Sequence, residues 1–200
     1  MSDDADHIVA LYDRHAAAYD RLRGRTLVET SWLDAFVALL PINAAVLDIG
    51  CGVAEPIAGY LFENGCNVFG IDSSPAMIGI CKARFPACQW AVADMRGLAL
   101  GRRFHGLVAW DSFFHLKPDD QRRMFAVFAS HAAPDAALLF TSGPAQGESI
   151  GTFEGEPLYH ASLDPNEYRA LLAAHGFRVV RHMAEDPACG GHTVWLAQRV

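Results

Sequence analysis

Apolar residues along this chain recur with two periods, and the switches between them outline the fold. Ile8, Leu11, Tyr12, His15, Tyr19 and Leu22 follow a helical spacing. A second helix is expected from Thr26 to Leu40, stopped by Pro41. From there short apolar runs alternate with amphipathic stretches: strand 44–49, helix 54–64, strand 66–71, helix 75–84, a short strand at 88–92, strand 104–110, helix 119–132 and strand 136–142. Pro75 after Ser73-Ser74 suits a first helical position, and Asp164-Pro165-Asn166-Glu167 reads as a helix start with cap, N1 proline and N3 acid. That last helix should end at Gly176, with two closing strands at 177–183 and 192–198. Residues 143–163 show little periodicity and read as a long loop, which in a compact domain is usually functional.

Strands that alternate with helices predict a doubly wound, mainly parallel α/β sheet with helices on both faces. Two final strands with no helix between them predict an antiparallel edge pair. Within one domain spanning 1–200, the expected parts are an N-terminal helical cap (1–43), a ligand-binding core (44–142), an acceptor lid (143–163) and a closing helix with its strand pair (164–200).

Composition narrows the classes. The chain has 200 residues, 52% hydrophobic and 20% charged, as expected for a globular domain with a core. A net charge of −7, with basic residues scattered, speaks against nucleic acid. No apolar run reaches the roughly 18 residues of a membrane span. Five cysteines (51, 66, 81, 88 and 189) without Cys-x-x-Cys spacing argue against a zinc site or a disulfide framework. The acidic N-terminus is unlike a targeting peptide, so a cytoplasmic location is expected and no metal is assigned.

The chemistry concentrates at two acids. Val46-Leu47-Asp48-Ile49-Gly50-Cys51-Gly52 is a strand running into a glycine turn, and Asp72 closes the next strand. Glycines allow close backbone approach to a ligand, and an acid about 20 residues on can accept ribose hydroxyls, so an adenosine-bearing ligand is expected. Glu55 breaks the dinucleotide pattern Gly-x-Gly-x-x-Gly, and no Arg or Lys in the turn awaits a phosphate.

This stretch resembles motif I of the class I S-adenosylmethionine-dependent methyltransferases, with Ala54 in place of the third glycine. The likeness is good from Val46 through Leu116. It implies a Rossmann-like seven-stranded sheet of order 3-2-1-4-5-7-6, strand 7 antiparallel, with S-adenosyl-L-methionine as cofactor. It further implies that Asp72 and Ser73 meet the ribose and Asp94 and Met95 the adenine, with Met77 against a ring face. Tyr19, Asp48, Gly50, Cys51, Gly52 and Trp110 would surround the rest of the cofactor. After strand four, Asp111 and Ser112 would face the methyl group, with His115 as general base and His160 as a second catalytic group. Phe153, Tyr159 and His192 would frame a small-molecule acceptor. Asp111-Ser112-Phe113-Phe114 lacks both prolines of the Asn/Asp-Pro-Pro-aromatic signature, which turns the reading away from base or glutamine methylation. Three alternatives stay open: another transferase using the same cofactor, a nicotinamide reductase, and a non-catalytic cofactor-binding module. The acceptor and the oligomeric state are not fixed by these residues.

Overall fold

The computed structural model describes residues 4–24 and 26–200; the part of the expected cap at 1–3 and 25 lies outside them. Seven strands form one sheet in the order β3-β2-β1-β4-β5-β9-β8. They are β1 (Ala45–Ile49), β2 (Asn67–Asp72), β3 (Gln89–Val92), β4 (Phe104–Ala109), β5 (Ala132–Ser142), β8 (Phe177–Asp186) and β9 (His192–Arg199). The pairs β1–β2, β1–β4, β2–β3 and β4–β5 are parallel, and β9 runs antiparallel to both β5 and β8. With β8 and β9 as the sixth and seventh strands of the main sheet, this is the expected order. The sheet is a Rossmann-like α/β fold.

The centre of the sheet follows from β1. Four of its five residues are buried, as a parallel strand covered on both faces requires. Side chains alternate across it: Val46 joins the apolar layer of Trp32, Phe36 and Leu61, while Leu47 and Ile49 join the layer of Phe104, Phe125, Phe140 and Trp195 on the opposite face. Helices α3 (Thr30–Val37) and α4 (Ile57–Glu63) cover the first face, and α6 (Pro118–His131) and α7 (Pro165–Ala174) the second.

Helix ends carry the capping read from sequence. Ser74 accepts from Met77 N–H at 3.1 Å to start α5 (Pro75–Arg84), and Asp164 accepts from Asn166 N–H at 2.8 Å to start α7. Other boundaries moved. The single helix expected over 8–22 is two, α1 (Asp4–Arg14) and α2 (Ala16–Leu22), divided at His15, whose ring turns to Glu156 at 2.7 Å. α3 is shorter than the 26–40 expected. α4 begins at Ile57 because Ala54 sits at φ 70, a left-handed conformation that no helix start can use.

The largest correction concerns 143–163. Instead of a loop it is mostly a separate antiparallel hairpin, β6 (Gly147–Phe153) and β7 (Glu156–Ser162). Phe153 pairs with Glu156, leaving a two-residue turn of Glu154 (φ 51) and Gly155 (φ 82). Two positive φ values are what a type I′ hairpin turn demands. The hairpin packs beneath α1, where Tyr159 and Ala161 meet Ile8 and Leu11.

Candidate active site

Parallel sheets place ligands beyond the carboxyl ends of their strands, where the strand order reverses. Here β1 and β4 leave in opposite directions from that point, and a cavity opens between their loops. Gly50, Gly52, Asp72, Ser73, Met77, Asp94, Met95, Asp111, Ser112 and His115 line it, and Tyr19 with Ile8, Val9 and Tyr12 roofs it. The roof is fastened at several points. Asp13 on α1 accepts from the Ser74 hydroxyl at 2.6 Å and Ala76 N–H at 3.0 Å, Lys117 pairs with Asp6 at 2.7 Å, and Arg14 and His15 hold Glu156 of β7.

The glycine turn and Asp72 are one unit. Asp72 accepts from Gly52 N–H at 3.0 Å and from Ser74 N–H at 2.9 Å, one bond to each oxygen. The carboxylate lines the cavity and has accepting capacity beyond these two bonds. Burial pushes this carboxyl above its ordinary range, against the pull of the backbone N–H groups of Ser74, Gly52 and Ser73. Gly50 is required here twice over: its φ is +74, and a Cβ would fall 2.4 Å from that of Ser112. Ser112 is itself committed, donating to the Ile49 carbonyl at 2.7 Å and so locking the β1 and β4 loops together.

Behind the turn, a recess is lined by Asp48, Cys51, Glu55 and Trp110. Burial, and then the charge of Asp72, raise Asp48 to about 7. The Trp110 indole N–H is buried with no hydrogen-bond partner among the described residues. Burial first, and then the neighbouring Cys81 thiol, drive Cys51 upward, so it remains a thiol. Asp94 lines the same cavity, but Arg96 already grips its carboxylate through Nε and Nη2, at 2.6–3.0 Å, and holds it below the usual range.

Asp111 lines both this cavity and a second chamber beside it. Its φ of 47 is unusual for a residue other than glycine, and such outliers concentrate at functional positions. His192 Nε2 lies 3.2 Å from its carboxylate, and His192 Nδ1 lies 2.6 Å from the Cys189 carbonyl. The bond to Asp111 raises His192 to about 9, so the ring is a cation that donates to both partners. His115 is its opposite. Burial lowers it to about 4, leaving a neutral ring that donates Nδ1–H to the Tyr159 carbonyl at 2.7 Å. Its Nε2 then accepts the Tyr12 hydroxyl at 3.1 Å. His160 is held down mainly by burial and packs 4.9 Å from His115, ring to ring.

The expected acceptor residues are divided by the structure. His192, His160 and Asp111 line one chamber with Phe114, Glu185 and Tyr12. Tyr159 and Phe153 differ from expectation. The Tyr159 ring is buried under α1 and only its carbonyl serves the site, because β7 alternation turns His160 outward instead. Phe153 lies behind Tyr12 and Tyr19, with ring centroids at 5.8 and 6.3 Å. Glu185, Phe114 and Arg96 were missed. Glu185 lies at an irregularity of β8 between Met183 and Asp186, with φ 48, which no sequence signature marks, and Arg96 would have been found as the i+2 partner of Asp94.

The His192–Asp111 pair carries a pH signature. A histidine raised on folding contributes stability that is complete below its unfolded value of about 6.5 and lost as pH rises through about 9. Melting temperature followed from pH 6 to 10 should therefore decline across that window, and in His192→Asn the decline should shrink. Identical profiles for the two proteins would remove the charged pair.

Comparison with known proteins agrees with this geometry. Residues 46–135 match a family model described as a methyltransferase domain. The chain is 32% identical over 104 residues to magnesium-protoporphyrin O-methyltransferase of Rhodobacter capsulatus, covering 50% of this chain and 45% of that protein. It is 27% identical over 141 residues to malonyl-[acyl-carrier protein] O-methyltransferase of Enterobacter lignolyticus (strain SCF1), covering 70% and 54%. It thus spans about half the length of these curated relatives. The structure of Burkholderia thailandensis 1,6-didemethyltoxoflavin-N1-methyltransferase superposes with a TM-score of 0.75 at 19% identity, covering 100% of this chain and 92% of the other. That likeness is one of fold.

Proposed function

We propose that this chain, whose residues 46–135 match a model of the methyltransferase domain, is a class I S-adenosylmethionine-dependent enzyme that transfers a methyl group from S-adenosyl-L-methionine to a small organic acceptor. One observation carries the reading: the Asp72–Gly52 unit and the Asp111 junction lie on one cavity, with a second chamber beyond Asp111. The donor set suits the cofactor. Asp72 has lone pairs for a ribose diol, Ser73 and Met77 sit beside it, and Asp94 and Met95 line the adenine end. Asp48 can meet an ammonium, and the unpartnered Trp110 N–H can meet a carboxylate. Tyr19 closes over the turn, with its ring edge 3.4 Å from where a Cβ on Gly52 would lie.

The cofactor brings a methyl carbon already activated by its sulfonium, so the protein must orient, desolvate and handle one proton. Asp111, fixed by His192, orients the acceptor at the junction. His115 is the base: neutral above about pH 4, its Nε2 faces the chamber through the Tyr12 hydroxyl. His160 flanks it. The hairpin over 143–163 forms the outer wall of the acceptor space, and α1 and α2 form the cap. The two curated relatives bear the names of enzymes acting on magnesium-protoporphyrin and malonyl-[acyl-carrier protein], so their acceptors do not fix the identity of this one. The net charge of −7 also favours a small acceptor over nucleic acid.

Incubation with methyl-labelled cofactor and a metabolite extract should yield a labelled product heavier by one methylene. His115→Ala should lower turnover by about 100-fold, the usual worth of a general base. Its S-adenosylhomocysteine affinity should change little, since Asp72, Gly52, Asp94 and the other groups assigned to the cofactor are retained. Wild-type turnover in that variant would exclude His115 as the base. Tight cofactor binding with no product from any extract would favour a non-catalytic binding module.

A further inference from the structure

The chamber beyond Asp111 does not end there. Phe114, Ser142, Pro144 and His160 line both it and a groove between the end of β5 and the β6–β7 hairpin. Charges along this route are uneven. Arg23 faces the chamber but is held by Glu29 at 2.9 Å, and His192 is held by Asp111. The remaining ions are Glu185 in the chamber and Glu148 in the groove, and neither has a cation within salt-bridge distance among the described residues. Among the described residues an anionic acceptor would find no free positive partner on this path, whereas a cationic one would find carboxylates at both stations. Phe114 and His160, packed ring to ring at a centroid distance of 5.2 Å, form one flat wall shared by the chamber and the groove.

Resting on the methyl-transfer reading above, we propose that the acceptor is an elongated amine. Its nitrogen is presented at Asp111, and its apolar or aromatic body passes Phe114 and His160 into the groove against the hairpin. The ammonium first gives one proton, by way of the Tyr12 hydroxyl, to the His115 Nε2 named above as the base. The freed lone pair then forms the N–C bond to the methyl carbon while the C–S bond breaks. That bond pair stays on sulfur, which becomes a neutral thioether, and the positive charge passes to nitrogen.

The test is calorimetry on the full chain, first with S-adenosylhomocysteine, then with phenethylamine, 4-biphenylmethylamine or phenylacetate added to the loaded protein. Both amines should bind at least about tenfold more tightly than phenylacetate. Glu185→Gln should weaken the amines by about fivefold and leave phenylacetate unchanged. Biphenylmethylamine should outbind phenethylamine, and Ser149→Trp, which fills the groove, should erase that gain alone. Equal or tighter binding of phenylacetate, amine affinity indifferent to Glu185, or no amine binding at all would overturn the proposal. Failure of the first titration would instead remove the cofactor reading, and this proposal with it.

Discussion

Asp72→Ala will weaken S-adenosylhomocysteine binding by roughly 30- to 150-fold, or about 2–3 kcal/mol. The side chain does two jobs at once. It accepts the backbone N–H groups of Gly52 and Ser74, which ties the glycine turn to the start of α5, and it lines the cavity with accepting capacity to spare. Hydrogen bonds to a charged acceptor contribute about 1.5–3 kcal/mol each, and a ribose diol supplies two. Asp94→Ala is the natural control. Its carboxylate is half exposed and already forked by Arg96, so its removal should cost only about threefold. Calorimetry on both variants checks the contrast. Unchanged affinity in Asp72→Ala would reject the ribose assignment, and a larger loss at Asp94 would shift the ligand's anchor to the adenine end.

Asp48→Asn should do the reverse for the empty protein and make it more stable. Asp48 is 3% exposed, and burial followed by the charge of Asp72 lifts it from 3.8 to about 7. A carboxyl raised on folding is a cost: stability is greatest below the unfolded value and falls as pH rises from about 4 through about 7. Full ionisation corresponds to about 4 kcal/mol by linkage, an upper bound that the buried amide of Asn partly offsets. The expected net gain is about 1–3 kcal/mol at pH 8, vanishing below about pH 4, measured by urea unfolding at each pH. S-adenosylhomocysteine should bind the variant less well, because the site loses its charge partner for an ammonium. In the wild type, binding near pH 6 should release a proton as that ammonium restores the ordinary carboxyl. A variant less stable than wild type at pH 8 would contradict the buried-charge account.

These two acids were readable from sequence because their constraints are local. A strand that buries both faces has no other use for Asp48, and Asp72 stands at the tip of the next strand. The seven-stranded order came from the family resemblance; the alternating periods by themselves give a mainly parallel sheet with helices on both faces. The hairpin was not legible. Glu154-Gly155 replaces the usual Asn-Gly or Asp-Gly, and Pro157, Gly147 and Gly151 dilute the alternation, so its register became visible only in pairing partners. That one miss displaced Tyr159 and Phe153, since a hairpin turns successive side chains to opposite faces while a loop leaves them undirected. The opposite characters of His115 and His192 were equally hidden. One is neutral because it is buried beneath α1, the other charged because Asp111 meets it from 81 residues away, and neither neighbour is written next to its histidine.

The most direct test of the whole account is a crystal structure of the full chain grown with S-adenosylhomocysteine. The account predicts the nucleoside under α1, its two ribose hydroxyls about 2.6–3.0 Å from the Asp72 carboxylate. The homocysteine end should lie at Gly50 and Trp110, and the sulfur should face Asp111. A nucleoside seated elsewhere, or an Asp72 carboxylate touching no sugar oxygen, would contradict it.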